Sequence, residues 1–294
     1  MLDPCAWLEA QGCEVTRLPV RPDGLIDVGR LVAALRPDTI LVSVMAANNE
    51  IGVLQPLAAI GRETHARGIA FHTDAAQAVG KVPFDVEAIH ADLVSLTAHK
   101  IYGPKGVGAL FVRRRGPAAA LAPLIHGGGH ERGLRSGTLN VPAIVGFGAA
   151  AALCQAEMTA ESARLAALRD RLLDGLRARA GEGDVLVNGA LGPAVRLPQN
   201  LNVAFPGVEG SALLMAMTDI AVSSGAACSS ASAEPSHVLR ALGLSDADAK
   251  ASLRFGLSRF TTAEEVDFVV EKVSAIVLDL RTRRRASYAP AEGV

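Results

Sequence analysis

Ala91 to Gly106 read ADLVSLTAHKIYGPKG: a short β-type run that ends in His99-Lys100, followed by a glycine- and proline-rich turn. An open α/β sheet places its chemistry in the crevice beyond the carboxyl ends of its strands. A lysine at such a position is suited to forming a Schiff base, because it can lose its proton and attack a carbonyl, which arginine cannot. The lysines are few: Lys81, Lys100, Lys105, Lys250 and Lys272 stand among 29 basic residues. The alternative reading of Lys100 is a surface residue that opens a turn.

Two upstream segments bear on that choice. Thr39 to Glu50 (TILVSVMAANNE) is an apolar strand opening into Asn48, Asn49 and Glu50, and Ile69 to Gln77 (IAFHTDAAQ) is a second one closing on His72, Asp74 and Gln77. Between them, Gln55 to Arg67 has helical apolar spacing, with Gly68 at the C-cap position. Strand, helix, strand, connection, strand is the pattern of a parallel sheet. Parallel strands share a direction, so Asn49, Asp74 and Lys100 are expected at one sheet edge. Val107 to Arg113 (VGALFVR) follows a short turn and is expected to be an antiparallel neighbour. The trio suits pyridoxal phosphate, which needs a lysine for its aldehyde and a carboxylate for its pyridine nitrogen. Asp74 can also be read as a helix cap, a role compatible with the catalytic one. Gln77 or Asn49 could hydrogen-bond the phenolate oxygen of the ring.

Four motifs, HTDAAQ, SLTAHKIYGPKG, HGGGHERGLRSGT and SSGAACSSASAEPSHVLRALG, in this order, resemble the cysteine desulfurases of the class V aminotransferase superfamily. The resemblance runs from about Leu2 to about Leu280. It implies a fold-type I pyridoxal-phosphate architecture: an α/β chain with a mainly parallel large domain over residues 1–140. Residues 141–294 would hold a linking helix and a smaller α/β domain with the catalytic-cysteine loop. It implies that Lys100 carries the cofactor aldehyde, that Asp74 pairs with the pyridine nitrogen and that Gln77 contacts the phenolate. Thr97 and His99 match phosphate contacts, Asn49 a cofactor or substrate contact, and Arg254 the clamp on the substrate carboxylate. Thr138 matches a residue reaching the phosphate in a partner subunit, which implies a homodimer. Cys228 matches the nucleophile that takes sulfur from L-cysteine, leaving alanine and a persulfide for a sulfur-acceptor or scaffold protein, as in iron–sulfur cluster assembly. The alternatives are another class V reaction, aminotransferase or selenocysteine lyase, or a non-catalytic remnant that binds sulfur-transfer partners. The resemblance begins well inside the family's large domain. The strand, phosphate-cradling turn and ring-stacking histidine that precede that point are therefore absent from this sequence, and the chain alone is expected to bind cofactor weakly or fold poorly.

The remaining features set limits. Cys228 lies in a run of small, turn-prone residues expected to form a mobile loop, whereas Cys154, Cys5 and Cys13 read as structural. The glycines of HGGGHE argue against a helix that would aim His126 and His130 at a metal, and no metal site is expected. With four dispersed cysteines no disulfide framework is indicated, and a reduced, cytoplasmic setting fits. A net charge of −1 offers no nucleic-acid surface. The Arg281 to Arg285 cluster reads as a solvated tail, and no stretch reads as long and apolar enough to span a membrane, Val141 to Cys154 being apolar but too short and broken by glycines. A long helix is expected from about Pro142 to Ala180, then strands at NLNVAF, IAVSSG and SLRFGLS, a helix around Gly210 to Met217 and a last one from Ala263 to Leu280.

Overall fold

The computed structural model describes residues 2–114, 116, 121–224 and 234–288. It contains two sheets joined by one long helix. The first sheet has the order β1 (Leu41–Ser43), β2 (Ala70–Asp74), β3 (Leu93–Thr97), β4 (Gly108–Val112). β1–β2 and β2–β3 are parallel, and β3–β4 is antiparallel. The fold class is the one expected, including the direction of VGALFVR.

The alternation of side chains decides what each face does. Val42, Phe71, Val94, Leu96 and Phe111 fall on one face and pack into a core with Leu31 and Ile60, contributed by α2 (Val28–Ala34) and α3 (Leu57–His65). Register places Ser43 beside His72 and Asp74 beside Ser95 on the other face. That face is polar near its carboxyl end, holds a small buried cluster of Ala70 and Leu93 with Val112 and Leu121, and is exposed at Leu41 and Leu110. A short helix α1 (Leu2–Ala10) precedes the sheet and buries nothing.

The second sheet is wholly antiparallel: β5 (Leu186–Val187), β6 (Asn200–Ala204) and β7 (Ser252–Gly256). All five residues of β6 are buried. Its core of Leu201, Val203, Phe205 and Leu253 is closed by the second half of α4 (Val141–Ala180) and by α8 (Ala263–Tyr288). Shorter helices α5 (Gly210–Ala216), α6 (His237–Ala241) and α7 (Asp246–Lys250) complete this half. Among the described residues, 220–224 form no regular strand; Ser223 makes an isolated antiparallel bridge with Arg254.

Two expectations need correction. α4 runs unbroken through Gly146 and Gly148, so these glycines do not interrupt it. By length and composition alone it is apolar enough to cross a membrane, although Leu165, Leu168, Leu172 and Leu176 in its second half are core residues. Gly146 has a packing reason: a Cβ there would lie 2.7 Å from Pro104 Cγ, so the glycine lets the helix approach the turn behind Lys100. The second correction concerns the arginine cluster. α8 extends through Tyr288, and the Arg281 side chain is 11% exposed, its guanidinium donating to the carbonyls of Pro206, Asp184 and Ala180. It is a helix anchor, because these acceptors close off a surface that local sequence does not reveal.

Candidate active site

β2 and β3 end side by side. Asp74 is the last residue of β2, and Oδ1 accepts the Ala76 N–H at 2.9 Å. No helix follows, since residues 76–80 form turns, so the helix-cap reading does not hold; the contact closes an Asx-type turn that orients the carboxylate at the strand end. Gln77 follows on the same turn, half-buried. β3 runs out through Thr97 into a 3₁₀ turn at Ala98–Lys100. Thr97 Oγ1 lies 2.8 Å from His99 Nδ1, and His99 and Lys100 are exposed. Asp74, Thr97, His99 and Lys100 thus converge at one edge. A carboxylate and an amine on adjacent parallel strand ends, with a hydroxyl–imidazole pair beside them, are the donor set a pyridoxal phosphate requires.

Beneath this edge, His72 bridges three strands. Nδ1 is 2.7 Å from Ser43 Oγ and Nε2 is 2.9 Å from Ser95 Oγ. Burial lowers the imidazole pKa, which the Asp74 charge partly opposes, so the neutral ring is favoured.

Asn49 and Arg254 are brought together from opposite halves: Arg254 Nη1 donates to the Asn49 carbonyl at 2.9 Å. Thr138 is exposed on the segment just before α4. Before it, a 3₁₀ turn at Glu131–Gly133 follows the glycines, and Gly127, Gly129, Glu131 and Arg132 have positive φ. Cys228 lies outside the described residues. Cys154 is buried, with its thiol pKa pushed up by that burial. Cys13, however, is exposed, so its sequence neighbours misled about packing.

The sequence reading missed the cluster behind Lys100. Tyr102 has φ +65°, which is costly for a bulky residue. Lys81 Nζ sits 4.0 Å and Arg259 Cζ 4.6 Å from its ring centroid, and the Arg259 N–H donates to its hydroxyl at 3.1 Å. Glu161 joins both cations, at 3.4 Å to Lys81 and 2.7 Å to Arg259. This arrangement holds the turn that carries Lys100. No local signal pairs these residues, since Lys81 and Glu161 are 80 apart in sequence.

The fold and the site define a class V aminotransferase-type enzyme, and the sequence matches the family described as aminotransferase class-V over residues 2–269. It is 58% identical over 294 residues to the cysteine desulfurase IscS of Anaeromyxobacter sp. (strain Fw109-5), covering 100% of this chain and 72% of that protein. A solved NifS-like protein superposes with a TM-score of 0.84 at 35% identity, over 95% of this chain and 72% of the other. The NifS-like protein from Rickettsia africae gives a TM-score of 0.76 at 32% identity, over 88% and 68%. The chain belongs to the aminotransferase class-V family and, within it, to the cysteine desulfurases.

Proposed function

We infer that the chain works as a pyridoxal-phosphate-dependent cysteine desulfurase, converting L-cysteine to L-alanine and passing the sulfur to an enzyme cysteine. Its family membership supports this reading. The observation that carries it is the delivery of Asp74 and Lys100 to one edge by adjacent parallel strands.

Lys100 would hold the cofactor aldehyde, Asp74 the protonated pyridine nitrogen, Gln77 and Asn49 the phenolate oxygen, and Thr97 and His99 the phosphate. Bound there, the cofactor supplies a ring that accepts electrons from the substrate. Arg254 binds the substrate carboxylate through its guanidinium fork. The Lys100 amine takes the α-proton, a general-base task that needs the neutral amine at that moment. The Cys228 thiolate attacks the substrate sulfur; the carbon–sulfur bond breaks with its electron pair going to carbon, and the sulfur remains on Cys228 as a persulfide. Thr138 completes the phosphate site of a second subunit in a homodimer. A sulfur-acceptor or scaffold protein of iron–sulfur cluster assembly takes the sulfur, in the cytoplasm.

The test is direct. With cofactor and L-cysteine, alanine should form with one sulfane sulfur on Cys228, mapped by mass spectrometry. Borohydride reduction should label Lys100, and Cys228→Ser should abolish the persulfide. Amino transfer to a keto acid in place of alanine release would overturn the reading.

A further inference from the structure

The two halves meet at a turn whose polar groups are almost all accounted for. Asn48 Oδ1 accepts the N–H groups of Glu50 and Ile51, at 2.9 and 3.0 Å, folding residues 48–52 tightly. Gly52 has φ +70°, and a Cβ there would come within 2.5 Å of Asn200 Oδ1. The Glu50 carbonyl accepts two side-chain amides from β6, Asn200 at 3.2 Å and Asn202 at 3.1 Å. Neighbouring backbone bonds, Leu54 N–H to Val195 and Leu197 N–H to Gly52, stitch the same joint.

The Glu50 side chain is the odd member. It is a carboxyl at 5% exposure with no role in the chemistry described above. Its Oε2 lies 2.5 Å from Ser236 Oγ. Ser236 Oγ also accepts the N–H groups of Val238 and Leu239 at the start of α6. A hydroxyl has one proton, so here it donates to Glu50 and accepts from the helix. The contact joins the cofactor-side turn to the segment that follows Cys228 by eight residues in sequence. One residue away along the turn, the Asn49 carbonyl receives Arg254.

We propose that Glu50 is a positioning residue: its buried hydrogen bond to Ser236 fixes the turn that offers the Asn49 carbonyl to Arg254, and thereby aims the substrate-carboxylate clamp. This rests on the desulfurase reading of Arg254. One guanidinium N–H is committed to Asn49, which leaves the rest of the fork in a set orientation. Burial raises the Glu50 pKa against the opposing Ser236 hydrogen bond and the charges of His237 and Arg254. A protonated carboxyl and a glutamine amide present the same acceptor oxygen, so glutamine should replace the function that alanine removes.

The experiment uses Glu50→Ala, Glu50→Gln and Ser236→Ala in the full chain with two readouts. Amide exchange over residues 48–54 is measured without substrate, and KM and kcat for L-cysteine are measured with cofactor. Glu50→Ala and Ser236→Ala should speed exchange at 48–54 and raise KM, each about tenfold, with kcat within about twofold. Glu50→Gln should rescue both. Ser236→Ala serves if Glu50→Ala does not fold. Unchanged exchange and KM in the alanine variants, or glutamine as damaging as alanine, overturns the proposal. If the unsubstituted chain releases no alanine, the desulfurase reading fails and takes the clamp with it. Faster exchange in Glu50→Ala would then still locate the hydrogen-bonded joint.

Discussion

The two sheets invite comparison because they divide the work. The first has a packed face and an open one, and its polar groups, Ser43, His72, Asp74, Ser95 and Thr97, line the open face toward one edge. The second buries every residue of its central strand, with Leu201 and Val203 against α4 and α8 and Asn200 and Asn202 against the turn at Glu50. A parallel sheet aligns strand ends and so concentrates functional groups. An antiparallel sheet with both faces covered contributes packing. The candidate site thus lies on the sheet with less of its surface buried, while the buried sheet carries Arg254, which the proposed function assigns to the substrate carboxylate.

The sharpest break of this comparison is Lys100→Ala. It should lower alanine formation by at least about a thousandfold, through loss of the amine as base and cofactor ligand, with little change in thermal midpoint because Lys100 is exposed. Steady-state assay and calorimetry on one preparation check both halves of that claim. Next in size is Glu161→Ala, which takes the carboxylate from the buried Lys81 ammonium and leaves the partly exposed Arg259 with Glu157. Breaking a buried pair from one side costs about 3–5 kcal/mol, so urea unfolding should show a loss in that range. A loss below about 1 kcal/mol would mean the cations find water instead.

Leu201→Ala against Leu110→Ala compares the sheets themselves. Leu201 is 0% and Leu110 51% exposed. The first should cost about 2–5 kcal/mol and the second within about 0.5 kcal/mol, read from chemical denaturation. Equal costs would show that something covers the open face. The smallest effect expected is a pH dependence. The folded-state pKa of His72 is depressed, so the unfolded chain binds more protons near neutrality and stability rises with pH there. This contribution is present above the unfolded value of about 6.5 and is lost as pH falls through the folded value. His72→Asn should flatten that part of the stability–pH curve, read from denaturation midpoints across pH.

How much of this was legible depended on sequence distance. The strand–helix–strand grammar from Thr39 to Thr97 is local, so β1, α3, β2 and β3 and the placing of Asp74 and Lys100 at adjacent strand ends could be read directly. The antiparallel direction of β4 followed from the short turn before it. IAVSSG could not be resolved the same way, since pairing with Arg254 is a tertiary choice and only Ser223 takes it. The fate of Arg281 and the exposure of Cys13 also depended on neighbours far away in the chain.

The sequence by itself determined the α/β class, the cofactor-type edge and the family, because periodicity and motif order are properties of neighbouring residues. Only the tertiary structure decided that Tyr102 is held by Lys81, Glu161 and Arg259, that His72 links Ser43 to Ser95, and that Glu50 meets Ser236 across 186 positions. The physical reason is common to all three. A buried polar group must find a partner or bear a desolvation cost of a few kcal/mol, and which partner it finds depends on how the two halves pack.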